Sequence, residues 1–291
     1  MSLKRRDFLK LGGTFAAAYA FQSTACKVGA MTGNTKIAED FGLQLYSLRD
    51  VLPADPKGVL EKVASYGYKQ IESYEGKDGM FWGMSNTEFK SYMDQLGMRI
   101  IASHTDINKD FEKKVDDAAA IGMKYLICPY KGPQKSIDDF KKIAEDFNKK
   151  GEICKKGGIR FGYHNHDYSF KPVDGQLPQN VMMDNTDPAL VDFEMDIFWV
   201  VAGGADPVEW MKKYKNRFRL CHVKDRSKTP GPNEGKNSCD LGKGSIDYDT
   251  VLRTALKNGI QYYIVEQEFY PDSTSLESAK VDAVYMKNLK I

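Results

Sequence analysis

Four residues in a row, His164-Asn165-His166-Asp167, carry the densest chemistry in this chain. They follow the strand-like run Ile159–Tyr163, and the whole protein has only four histidines. Residues two apart on a strand share a face, so His164 and His166 project together. An imidazole pair at a strand end suits metal ligation or proton transfer near neutral pH. The other two histidines, His104 and His222, also close strand-like runs. Carboxylates do the same: Glu72, the pair Glu194 and Asp196, and the pair Glu266 and Glu268 end their own segments, and Lys224 and Asp225 follow His222. Two imidazoles and two carboxylates from neighbouring strands form a cage for one divalent metal. Mixed N and O donors favour Mn, Co, Fe, Ni or Zn over Ca.

The elements needed to bring these residues together alternate along the chain. Strand runs are expected at Phe41–Leu48, Tyr68–Tyr74, Met98–His104, Lys124–Pro129, Ile159 onward, Val191–Val201, Arg217–Lys224 and Gln261–Glu268. Helices are expected between them: Asp55-Pro56 to Tyr66, Ser85–Leu96, about 109–121, Ser136 to about Lys156, Pro207–Tyr214, Asp247–Asn258, and a closing Ser275–Leu289. Ser85 with Glu88 spells a capping box, and Gly67, Gly97, Gly122, Gly157-Gly158 and Gly259 stop helices. The stretch Asp174–Pro188 is irregular with room for a short helix, and Ser227–Lys243 is a Gly/Pro/Asn loop of a length usually kept for function. Eight strands alternating with helices at this length argue for an α/β protein with a (β/α)8 TIM barrel. No G-x-G-x-x-G follows the first strand, which removes the main support for a dinucleotide fold. In such a barrel the strand C-termini carry the chemistry.

Composition excludes several classes. The 291 residues are 42% hydrophobic and 28% charged, with 42 basic against 40 acidic residues and a net charge of +2. That balance supplies no basic face for nucleic acid. Five cysteines, Cys26, Cys128, Cys154, Cys221 and Cys239, form no CxxC pair and no zinc ribbon, and Cys128 and Cys221 are expected as buried strand residues. The N-terminus differs from the rest. Lys4-Arg5-Arg6-Asp7-Phe8-Leu9-Lys10 resembles a twin-arginine export signal, and the apolar Leu11–Phe21 is shorter than the ~20 residues a membrane span needs. Ala18-Tyr19-Ala20 fits a cleavage site. Ser23-Thr24-Ala25-Cys26 resembles a lipoprotein box that would make Cys26 a lipid anchor. Residues 1–26 are therefore expected to be an export signal, 27–40 a linker and 41–291 the barrel, with the mature protein periplasmic or lipid-anchored.

Several stretches resemble the xylose isomerase-like TIM barrels, the sugar phosphate isomerase/epimerase superfamily. These are GLQLYSLRD at 42–50, HNHDY at 164–168, FEMDIFWVVAGG at 193–204, CHVKD at 221–225, LGKGSIDYDTVL at 241–252 and IVEQE at 264–268. The resemblance implies one divalent metal (Mn, Co, Fe, Ni, Zn or Mg) held at the positions of His164, Asp196, His222 and Glu266. It departs from the family at two places: His164 stands where a glutamate is usual, and Trp199 where Asp-x-x-His would place a histidine. Of the two proton-carrying glutamates of the epimerases, only Glu266 remains. Glu266, His166 and Lys224 are the candidate acid–base groups, with Gln44, Glu72, His104, Trp199 and Glu268 as candidate sugar contacts. The implied activity is proton abstraction next to a carbonyl through a metal-stabilised enediolate, giving isomerisation or epimerisation of a non-phosphorylated sugar. The alternatives are a lyase or dehydratase acting on a 3-keto sugar or glycoside through the same intermediate, and an exported carbohydrate-binding protein without catalysis. A small-molecule sugar is the expected partner.

Overall fold

The computed structural model describes residues 34–291. The export-signal and lipobox residues expected at 1–26 lie outside that range, as does half of the expected linker; the other half is not irregular but holds a short helix, Asn34–Glu39.

Eight parallel strands close a barrel, and the alternation of their side chains decides which residues face inward. The strands are β1 (Gly42–Gln44), β2 (Gln70–Tyr74), β3 (Arg99–His104), β4 (Tyr125–Cys128), β5 (Arg160–His164), β6 (Val191–Asp196), β7 (Phe218–Val223) and, after a two-stranded ribbon of β8 (Asp225–Arg226) and β9 (Ser238–Cys239), β10 (Tyr262–Val265). The barrel runs in chain order from β1 to β7, then β10, which pairs with β1 through Gly42–Ile264 and Leu43–Val265. On β4, Tyr125 and Ile127 point inward and meet Ile101, Ala102 and Leu220 in an apolar plug inside the barrel. Leu126 and Cys128 point outward into the larger core beneath the helices. Above the plug, inward positions are polar: Glu72 on β2, Glu194 and Asp196 on β6, and His222 on β7 are each 0% exposed.

The helices follow their local signals. Asp55 caps Pro56–Tyr66, the Ser85/Glu88 capping box is formed, and Gly67, Gly158 and Gly259 end helices with positive φ. Cys128 and Cys221 are buried and, like Cys154 and Cys239, free.

Three expected strands are shorter than their apolar runs. The first stops at Gln44, whose side-chain oxygen accepts the Tyr46 N–H at 3.0 Å and caps a 3-10 turn over Leu45–Leu48. The sixth stops at Asp196, and Ile197–Ala202 is a helix instead of strand. The cause is Asp196 itself: its Oδ1 accepts the Trp199 N–H at 2.9 Å and caps the new helix. The eighth stops at Val265. Beyond it, Gln267 N–H donates to Ser47 Oγ, and the N–H groups of Glu268 and Phe269 donate to Ser238 Oγ, so side chains replace the ladder. The Ser227–Lys243 loop is partly ordered as the ribbon and a 3-10 turn, Glu234–Lys236.

Candidate active site

The strand C-termini bring most of the sequence-predicted residues into one cluster. His164, Asp196, His222 and Glu266 each present a ligand atom within 4.8 Å of the others, and all four are buried. His164 Nδ1 lies 3.3 Å from the Pro129 carbonyl, which leaves Nε2 facing Asp196 Oδ2 at 3.4 Å. His222 Nδ1 faces Glu266 Oε2 at 3.1 Å and Asp196 Oδ2 at 3.7 Å. Asn165 pins the same corner. It donates to the Asp196 carbonyl at 3.1 Å and accepts the Asp196 N–H at 3.2 Å. Gly203 lets the turn after His166 close down on the helix after Asp196, since a Cβ there would sit 2.9 Å from the Asp167 carbonyl oxygen and from Phe170 Cβ.

Below this set lies a second layer. His222 Nε2 is 2.9 Å from Glu72 Oε1 and 3.3 Å from Glu194 Oε2. His104 Nε2 is 2.9 Å from both of those carboxylates. Gln44 donates its amide to Glu72. Gln44 and Glu72, expected as sugar contacts, are therefore fully buried beneath the cluster and do not line the cavity above it. They sit one pleat too deep: Tyr46 and Tyr74, each two residues further along the chain, line the cavity instead.

To one side, Lys224 is 1% exposed, with Nζ 3.1 Å from Glu266, 3.5 Å from Asp196 and hydrogen-bonded to Glu268. Its ammonium also lies over the Phe198 and Trp199 rings at 5.0 and 5.1 Å.

So many buried charges set one another's protonation. Burial disfavours the cation of His222, yet Glu194, Glu266 and Asp196 hold its pKa well above the usual value. His104 is lifted against burial to about 9 by Glu72 and Glu194. His164 is pushed down to about 4 by burial and by the charges of His222 and His104. Burial, then His164, drives His166 well below its usual value. Burial and Glu72 raise Glu194 to about 7, whereas Lys224 and two histidines outweigh burial at Asp196 and keep it low. Lys224 stays protonated, since Glu266, Glu268 and Asp196 overcome its burial.

The donors fit a divalent cation. Of the four clustered donors, His164 Nε2 is buried without a hydrogen-bond partner, as are Glu72 Oε2 and Glu194 Oε1 in the layer below, a cost that packing alone leaves uncompensated. His104, His164, Glu194 and His222 form a second, overlapping donor group. Two imidazoles with two carboxylates match a borderline metal. A cation there would compete with the His222 proton, so its binding would release protons.

Over the cluster opens a cavity of 350 Å³. Its floor includes His104, His164 and Glu266, and its walls include His166, Trp199 and Glu268. Pro129 and six more residues, Tyr46, Tyr74, Glu75, Thr105, Asp106 and Tyr130, complete it. None of these six was singled out from sequence. They lie at or just past strand ends, where no periodicity marks them. Glu194 stood out there only as a strand carboxylate; its two-residue offset from Asp196 was the signal for the buried layer.

A family model for the xylose isomerase-like TIM barrel matches residues 60–288. The chain belongs to this family. Within it, an inosose dehydratase of Clostridium perfringens is 28% identical over 201 residues, covering 63% of this chain and 62% of that protein. An inosose dehydratase of Geobacillus kaustophilus is 21% identical over 194 residues, covering 57% and 61%. The chain thus spans less than two thirds of these relatives' length. A sugar phosphate isomerase/epimerase from Parabacteroides distasonis superposes with a TM-score of 0.76 at 30% identity, covering 86% of this chain and 98% of that one. The IolI protein solved with a bound zinc atom superposes at 0.70 with 16% identity, covering 85% and 97%, a likeness of fold.

Proposed function

We propose that this family member is a divalent-metal-dependent enzyme that removes a proton next to the carbonyl of an unphosphorylated keto sugar or related polyol, with elimination of a β-oxygen as the favoured outcome. The carrying observation is the inequality of the two sides of the cavity. One side offers the imidazoles His164 and His166 and no carboxylate at the fifth strand. The other offers Lys224 bound to Glu266, Glu268 and Asp196. A matched pair of carboxylates, one per face, suits reversible epimerisation; an unmatched pair suits a reaction that takes a proton on one side and gives one on the other.

His164, Asp196, His222 and Glu266 are the proposed ligands, and a metal bound there would polarise the substrate carbonyl as a Lewis acid. His166, which lines the cavity and whose Nδ1 has no partner, takes the C–H proton. The C–H electron pair becomes a C=C bond, the β-carbon–oxygen bond breaks, and the departing oxygen receives a proton from Glu268 backed by Lys224. Water or an alcohol leaves. The relatives named inosose dehydratase support this reading.

Isomerisation or epimerisation is the second reading. It is favoured by the Parabacteroides distasonis relative, 98% of whose chain the match covers. Here the β-oxygen stays and Glu266 or Lys224 returns the proton.

Proton NMR in D₂O of metal-loaded protein with inososes, ketoses and 3-keto glycosides separates them. Loss of water or alcohol with an unsaturated product supports elimination. Deuterium in an intact skeleton supports isomerisation. Absence of both with every compound overturns the proposal. The twin-arginine-type segment further supports placement outside the cytoplasm, so replacing Arg5 and Arg6 by Lys should hold the protein inside; unchanged export sinks that part.

A further inference from the structure

The cavity is larger and differently lined than the chemistry at its floor requires. Its 350 Å³ falls within the ~300–1,000 Å³ that houses drug-sized ligands, more than one six-membered sugar ring fills. Its floor is polar, and its outer walls carry three tyrosines beside Glu75, Thr105 and Asp106. Tyr46 and Tyr74 stand on one side at 5.1 Å and 85° to each other. Tyr130 stands on the loop after β4, edge-on to His166 at 4.9 Å and to Tyr168 at 5.5 Å.

Tyr46 and Tyr130 are 38% and 54% exposed. Two of the four large apolar side chains exposed among the described residues thus belong to one cavity. Aromatic neighbours hold both rings, so little side-chain entropy remains to be lost when a ring packs on them.

Charge narrows the ligand further. Among the described residues no lysine or arginine lines the cavity, whereas Glu75, Asp106, Glu266 and Glu268 do. The nearby cations are engaged: Lys114 Nζ with Glu75 at 2.7 Å and the Asp106 carbonyl at 2.8 Å, Lys224 with the strand-end carboxylates, and Arg49 with the carbonyls of Tyr46 and Glu268. A phosphate would meet carboxylates without a free partner.

We propose that the outer half of this cavity is a second-ring subsite, so that the substrate is a neutral glycoside whose reacting sugar lies over the floor and whose second ring, a sugar or an aryl group, packs between Tyr46 and Tyr130. The proposal rests on the reading of this cavity as the substrate site, but its test needs no turnover. Binding to the metal-loaded protein is measured by calorimetry with glucose, phenyl β-glucoside, cellobiose and glucose 6-phosphate, none of which carries the ring ketone that the proposed reaction needs. Phenyl glucoside or cellobiose should bind at least about tenfold tighter than glucose, a difference of about 1.4 kcal/mol, and the phosphate no tighter than glucose. Tyr130→Ala and, separately, Tyr46→Ala should each erase most of that advantage, with metal content as the check on folding. Tyr130→Phe should keep it. Equal binding of glucose and the two-ring compounds, tighter binding of the phosphate, no binding of any two-ring compound, or a glycoside advantage that survives both alanine variants overturns the proposal. Failure of the proton-exchange experiment with a preserved glycoside advantage would overturn the catalytic reading and leave this one standing.

Discussion

The barrel has a cavity at each end, and the two differ in kind. The one at the strand N-termini is larger, 640 Å³, and is lined by Asp40, Gln70, Arg99, Lys124 and Tyr262 among others. Its ion pair, Arg99 with Asp40, has side chains 50% and 33% exposed. The cavity at the C-termini is about half that volume, yet its floor joins a cluster of carboxylates, imidazoles and an ammonium that are almost fully shielded from water. Solvated charge is cheap to place and does little; charge withdrawn from water is costly and must be compensated by partners or by a ligand. Burial of converging charge, rather than volume, therefore marks the working end.

That contrast can be broken by substitution. The largest effect is expected from His222→Ala. It should lower divalent-metal affinity by more than about 100-fold, beyond the ~10–100-fold typical of outer-shell partners, and abolish turnover, measured by metal content after dialysis and by assay. Retention of bound metal at wild-type level would refute the ligand assignment. Next comes Lys224→Met, which strands Asp196, Glu266 and Glu268 together. Metal-free protein should lose about 3–5 kcal/mol of stability in denaturant titration, and added divalent cation should restore part of it. Glu72→Gln should follow. It removes the carboxylate facing His222 Nε2 and His104 Nε2, so it should weaken metal binding about 10–100-fold. It should also lower the stability of the metal-free protein, though less than Lys224→Met because Glu194 still faces both imidazoles; an unaltered metal affinity would show that the lower layer is packing alone. The smallest effect is expected at the opposite end. Arg99→Ala should leave metal content and kcat as they are and shift stability by no more than about 1 kcal/mol. A loss of activity there would mean that the ends do not differ as described.

The sequence made much of this legible because a parallel barrel obeys local rules. Asp55, Ser85 and Gly259 marked helix ends by chemistry that acts within a few residues. The two-residue repeat placed His164 with His166, Glu194 with Asp196, and His222 with Lys224 on shared faces. Where two local signals competed, the pattern misled. The apolar run Ile197–Val201 suited a strand, but Asp196 offered its carboxylate to the next turn and started a helix. Depth was also invisible. Glu72 and Glu266 both stand near strand ends, yet one lies in a closed layer under the cluster and the other at the cavity floor.

What the sequence by itself determined was the inventory and the face: eight strands, the residues pointing inward at their ends, and the family. Tertiary structure alone decided which carboxylate meets which nitrogen. The tilt and stagger of strands around a closed barrel set the height of each inward side chain. That height made His222 Nδ1 face Asp196 and Glu266 while Nε2 faces Glu72 and Glu194. It also gathered Tyr46 from the turn after β1, Tyr74 from the end of β2 and Tyr130 from the loop after β4, a grouping that no spacing along the chain encodes.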